Sequence, residues 1–386
     1  MAERARAVNP KVLRWARERS GRSVEEVART LKKDASVIES WETGRLYPTV
    51  GQLEKLAYQL YKRPLAIFFF PEPPEEETPD QEFRTLPEFE TENLAPDSLY
   101  AVREARAMQD SLRQLTEREN PAESLIFEQI RPDDTGEVHE MARRARVHLG
   151  ISLDAQTRWS TTEDAFKNWR SALEHNGVFV FKRAFKQSDI SAFCLFDRVF
   201  PIIYINNSTT FSRQCFSLFH ELAHILFETS GITKADIGYI EILTGNNREI
   251  EIACNKFAAE FLVPSSDFLR RASGYEGDEH EIEIFAERYG VSREVIFRQL
   301  LEAGVVSEDE YRARAAAWNA EFFARSQERQ GGNYYATKAA YLGDSFINLA
   351  FAQYNTGRCS IDELASHLNM KARNVQNLET FVHRLA

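Results

Sequence analysis

The chain has 386 residues, of which 43% are hydrophobic and 28% charged, and a formal net charge of −11. That length allows two or three domains with their own cores, and the composition is that of a soluble, globular protein. The strongly apolar runs, such as "LAIFFF" at 65–70, are far too short to cross a bilayer, and the Arg-rich start lacks an apolar signal core. The expectation is a cytoplasmic protein with no membrane segment. Cys194, Cys215, Cys254 and Cys359 are widely spaced without a C-x-x-C pair, which reads as reduced, mostly buried thiols.

The charge is unevenly distributed. Residues 1–63 hold 14 Lys/Arg against 8 Asp/Glu, and the remainder holds 34 against 51. Only the N-terminal piece has the sign to meet nucleic acid. Within it, Ser23 and Glu26 form a capping-box pattern at the start of a helix. Val27, Ala28 and Leu31 make its inward face, and Val37, Ile38 and Trp41 begin the next apolar stripe. "WETGRLYPT" follows, with Gly44 as a helix stop. Leu53, Leu56, Ala57 and Leu60 close the bundle.

This segment, 23–60, resembles the Cro/C1-type helix-turn-helix, a five-helix bundle, and the resemblance places that domain at 9–70. The reading face departs from the family. Val24 stands where a DNA-contacting Gln is common, and the exposed positions of the second helix, Ala35, Ser36, Glu39 and Ser40, include no Lys or Arg. Arg22, Lys32, Lys33, Ser36, Ser40 and Arg45 are the candidate DNA contacts. Flanking cations suit phosphate contacts, which position without specifying, so the expected affinity for DNA is weak.

"PEPPEEETPD" at 71–80 opens a linker over 71–87. The pattern is then mostly helical to about 175. Three short β-like runs follow at 178–183, 190–196 and 200–205, and their short gaps predict antiparallel pairing. Next comes "CFSLFHELAHILFETSG" at 215–231, an apolar helix carrying His220, Glu221 and His224. Two His four apart share a helix face, a spacing at which both imidazoles can bind one Zn²⁺. Glu221 lies about 100° round the helix, off the metal but within reach of a water on it. A chance H-E-x-x-H is expected only about 0.01 times in such a chain, and these groups in an apolar stripe are costly unless something binds them.

A catalytic zinc needs a third protein ligand and one open position. Phe227 and Ser230 occupy the positions where H-E-x-x-H-x-x-G-x-x-H would have its Gly and third His. Glu228 is one turn too far along the axis. The second periodic helix, "REIEIACNKFAAEFLVP" at 248–264, offers Glu251, with Asn255 one turn later; Glu249 is the nearest rival on another face. Tyr239 is a candidate to stabilise an oxyanion.

"FSLFHELAHILF" followed by E-x-x-C-N-x-F-A-A-E-F-L-V-P resembles the ImmA/IrrE metallo-endopeptidases. The resemblance implies an α+β, mostly helical protein with a gluzincin-like core and a small antiparallel sheet. It implies zinc on His220, His224 and Glu251, Glu221 as general base, and a protein substrate held as an added strand along "ISAFCLF" or "FPIIYI". The peptidase domain is placed at 88–310 and a helical C-terminal region at 311–386. "QEFRTLP" (81–87) and "GGNYYATKAAYLG" (331–343) resemble segments of long members that fuse these two domains. Such proteins cut a regulator, often a helix-turn-helix repressor, under stress. The alternative partner is a toxin, with the peptidase fold serving an antitoxin as a binding module.

Overall fold

A computed structural model describes residues 3–78, 81, 83, 94–132, 137–234, 243–275, 277–325 and 333–384. Two compact units emerge, Met1–Glu104 and Ala105–Ala386.

The first unit is a helical bundle. Helix α1 (Pro10–Arg19) is capped by Asn9, whose side chain accepts from Lys11 N. Helix α2 (Val24–Leu31) begins with the Ser23–Glu26 capping box and ends at Lys32 in the left-handed conformation, φ 53°. Helix α3 spans Ala35–Glu42. Helix α4 (Val50–Glu54) starts at a Thr49–Gln52 capping box and runs into one π-helical stretch, Lys55–Leu60; a 3₁₀ turn, Leu65–Phe69, completes the bundle. Val12, Ala28, Ile38, Trp41, Leu56 and Phe68 are among its buried residues. A bidentate Arg17–Glu42 pair, at 2.7 and 3.0 Å, ties α1 to α3. The Pro/Glu-rich segment lies along this unit over its described residues: Lys11 meets Glu72 at 3.0 Å and Arg63 meets Glu76 at 2.6 Å. Helix α5 (Pro96–Leu115) continues into the second unit.

The second unit is built round a four-stranded sheet, β1 (Phe179–Arg183), β2 (Ile190–Leu195), β3 (Ile202–Asn206) and β4 (Gly231–Lys234), in the order β1-β3-β2-β4. Two expectations are corrected here. The sheet is mixed, because β1 pairs with β3 in parallel, while β2 is antiparallel to both β3 and β4. Asn206 shows why no β1–β2 hairpin forms. Its amide nitrogen donates to Ile190 O at 2.7 Å and its oxygen accepts from Phe185 N at 3.3 Å. The chain after β1 therefore passes over the end of β3, which takes the place between β1 and β2. The second correction follows: "ISAFCLF" and "FPIIYI" are inner strands, and the outer strand beside the H-E-x-x-H helix is β4.

Five helices matter for the site. They are α6 (Val138–His148), α7 (Thr162–His175), α8 (Phe211–Leu226), α9 (Gly245–Leu262) and α10 (Ser265–Arg271). Helix α8 carries the H-E-x-x-H sequence, lies across the sheet and is flanked by α7 and α9. Then come α11 (Glu279–Tyr289), α12 (Arg293–Glu302), α13 (Glu308–Arg325), α14 (Tyr334–Leu342), α15 (Asp344–Asn355), α16 (Ile361–His367) and α17 (Val375–His383). The C-terminal helices dock on the sheet. Phe346 meets Phe181 edge-on at 5.3 Å, and Arg170 donates to Ala340 O at 2.9 Å at the end of α14. Gly343, φ 81°, lies so close to the Arg170 guanidinium that a Cβ would collide with it.

Candidate metal centre and helix-turn-helix face

Helix α8 is apolar on most of its circumference because α7, α9 and the sheet all bury it; twelve of its residues are buried. Phe219 stacks on Phe261 of α9 at 3.9 Å, and the Trp169 ring of α7 meets both edge-on at 5.0 and 5.3 Å. That contact fixes the register of α8 against α9. Pro264 cannot donate to the last carbonyls of α9, so side chains serve them. Arg146 donates to Phe261 O at 2.8 Å and Gln156 to Leu262 O at 2.9 Å.

In this register three donor groups converge. His220 Nε2 and His224 Nε2 are 3.2 Å apart, and the Glu251 oxygens lie 3.2 Å from the first and 3.1 Å from the second. For metal bonds of about 2.0–2.1 Å, neighbouring donors on a tetrahedral zinc stand roughly 3.3 Å apart. The spacing of these three groups therefore fits a zinc ion. The far ring nitrogens are oriented as well. His220 Nδ1 faces Asn255 Oδ1 at 3.2 Å. His224 Nδ1 faces Thr229 Oγ1 at 3.3 Å, and that hydroxyl donates to His224 O, leaving its lone pairs for the ring N–H. Both rings then turn an Nε2 lone pair towards the Glu251 carboxylate, an arrangement that repels itself until a cation or shared protons fill it. Burial works to raise the Glu251 carboxyl, but the two rings, when they carry protons towards it, outweigh burial and hold it well below the usual carboxylate range.

Glu221 points to the sheet. Its Oε1 accepts from Thr233 N at 3.0 Å and from the Thr233 hydroxyl. Its Oε2 is buried without a hydrogen-bond partner. Burial raises the Glu221 carboxyl, with the two imidazoles, Thr233 and the Cys194 thiol pulling the other way. A raised carboxyl with one committed and one open oxygen has the form of a proton acceptor held in place.

The other acids stand apart from Glu251. Glu249 is exposed, whereas Glu251 is 4% exposed. Helix α8 stops at Leu226 and Glu228 takes the left-handed conformation, φ 55°, turning the chain towards β4. Glu228 thus leaves the face that carries the His pair. Tyr239 lies outside the described residues. Several partners escaped the sequence reading: Cys254, whose Sγ lies within 4.8 Å of a ring nitrogen of each His, together with Thr229, Thr233 and Gly231. A Cβ at Gly231 would sit 2.5 Å from the His224 ring. The small-polar run "TSGITK" was the available signal, and it carries no periodicity.

On the helix-turn-helix unit, Lys32, Lys33, Ser36 and Arg45 are exposed, as is Glu39. Other candidates are committed elsewhere. Arg22 is half-buried and donates to Leu60 O at 3.1 Å, and Ser40 Oγ donates to Ser36 O at 2.7 Å. Two cations of α1 are paired as well, Arg14 with Glu18 at 2.9 Å and Arg17 with Glu42. Asp34 stands before α3 with no capping bond, adding an acid at the start of the reading helix.

For the metal, Glu251→Ala should abolish stoichiometric zinc binding while Glu249→Ala keeps it, as read by elemental analysis after dialysis. Gly231→Ala should displace the His224 ring and weaken zinc binding about 10–100-fold with the circular dichroism unchanged. Wild-type affinity in Gly231→Ala would contradict the geometry.

Comparison with protein families matches residues 173–301 to the IrrE N-terminal-like domain of peptidase M78, and residues 11–61 to a helix-turn-helix domain. No curated protein matches the chain. The first of these matches encloses β1–β4, α8 and α9, and with them every group at the centre; the second encloses α2–α4 and all of α1 but its first residue. The chain thus carries one segment that matches a helix-turn-helix domain and a second that matches the IrrE N-terminal-like domain of peptidase M78.

Proposed function

We propose that the IrrE-like unit is a zinc-dependent endopeptidase acting in the cytosol on a protein substrate, a helix-turn-helix repressor being the expected target, in response to stress. The observation that carries this reading is the meeting of two Nε2 atoms and one carboxylate at 3.1–3.2 Å beside a buried carboxylate oxygen without a partner. A pure binding module has no use for the latter.

His220, His224 and Glu251 would hold the ion, and the ion when bound supplies Lewis acidity to the scissile carbonyl and to the attacking water. The protein's own part lies with Glu221. Its Oε2 takes the proton of the attacking water and later passes it to the leaving amine, while Thr233 holds Oε1. Thr233 belongs to the outer strand β4. A peptide added along β4 would gain main-chain hydrogen bonds and run beside Glu221.

The helix-turn-helix unit fits weak DNA binding through phosphates. Affinity of the full chain for duplex DNA should fall steeply with salt, in proportion to the few exposed cations, and Lys32→Ala with Lys33→Ala should remove most of it. Tight binding to one operator that salt barely changes would contradict this reading.

For catalysis, Glu221→Gln keeps the shape but not the basicity of the side chain. Cleavage should drop by about 10²–10⁴ with zinc still bound. The comparison is made in cells under DNA-damage or oxidative stress, blotting for a repressor encoded nearby. Equal loss of the repressor with both proteins would remove the peptidase from the account and leave partner binding, as in an antitoxin.

A further inference from the structure

Helix α9 presents three groups to the His pair. Glu251, Cys254 and Asn255 follow at helical spacing on one face. Two of them have a role above: Glu251 completes the donor triangle and Asn255 orients His220. Cys254 has none, yet it is fully buried and its Sγ lies within 4.8 Å of ring nitrogens of both His220 and His224. Both Nδ1 atoms are committed, one to Asn255 and one to Thr229. The atoms left for the sulfur to share an ion with are the two Nε2.

We propose that Cys254 is a further donor to the metal, its thiolate joining His220, His224 and Glu251 in the resting chain. The inference rests on the metal reading above. Around a tetrahedral zinc, with bonds of about 2.05 Å to nitrogen and 2.3 Å to sulfur, nitrogen and sulfur stand roughly 3.5 Å apart. Ligation would require a side-chain rotation at Cys254 to bring the sulfur that close. Ligation forms a sulfur–metal bond and gives the thiol proton to solvent. Thiolate is a soft donor that suits zinc and cobalt over magnesium or manganese.

The consequence is regulatory. Four protein donors close a zinc shell, whereas a catalytic zinc keeps one position open. A thiolate in the fourth position would hold the peptidase latent until the sulfur leaves.

The test is metal-binding spectroscopy on the full chain. Purified protein is stripped of metal and titrated with Co²⁺ without reductant thiols. The proposal expects one Co²⁺ per chain, a tetrahedral visible spectrum, and a near-ultraviolet sulfur-to-cobalt charge-transfer band. That band should be lost in Cys254→Ala and in Cys254→Ser while Co²⁺ uptake persists; the serine variant guards against a packing defect in the alanine one. Uptake of Co²⁺ with no such band in the wild type, or a band that survives in both variants, overturns the proposal and leaves the His-His-Glu centre standing. No Co²⁺ uptake by the wild type overturns the metal reading itself.

Discussion

The candidate metal centre depends on one contact, the packing of α8 against α9. The donors come from two helices, so their convergence is only as good as the register between them. Phe219 and Phe261 stack at 3.9 Å, and Trp169 closes edge-on over both. Aromatic pairs of this kind prefer a narrow set of geometries, which makes the register specific. The consequence appears one residue from Phe219, where His220 reaches Glu251 at 3.2 Å. Arg146 lies over the Trp169 and Phe261 rings and bonds the end of α9, so the same wedge stops that helix from sliding.

The sheet supplies what the helices lack. Glu221 leaves the metal face and turns to β4, where Thr233 holds one oxygen. His224 is steadied by Thr229 and overlain by Gly231. The segment 229–233 therefore contacts both His224 and Glu221, and only a chain that reverses sharply after α8 can place it there. Glu228 makes that reversal at φ 55°, a conformation costly for a residue with a side chain and repaid by the packing of β4.

Much of this was legible in the sequence. Spacing alone put His220 and His224 on one face and Glu221 off it, and elimination favoured Glu251 over Glu249 and Glu228. The capping boxes at Ser23 and Thr49, the apolar stripes of α2–α4 and the helix stop at Gly44 are local signals, so local rules read them. What was missed is non-local or aperiodic. The parallel β1–β3 pair depends on Asn206 gripping the loop after β1, which no strand pattern encodes. Strand β4 is four residues long with no alternation to announce it, and it took the outer place expected of β2 or β3. Cys254 reads as an ordinary buried thiol until the fold sets it beside two imidazoles. On the helix-turn-helix unit, sequence counted cations but could not tell which are spent inside the bundle, as Arg17 and Arg22 are.

The central claim is that this fold brings His220, His224 and Glu251 to one metal ion. X-ray absorption at the zinc edge, on protein purified with its native metal, tests it directly. One zinc per chain is expected, with two imidazole nitrogens and a carboxylate oxygen at about 2.0–2.2 Å, joined by a sulfur at about 2.3 Å where Cys254 ligates, and with loss of the imidazole scattering in a His220→Ala, His224→Ala double variant. A zinc signal unchanged in that variant, or no zinc in the native protein, would contradict it.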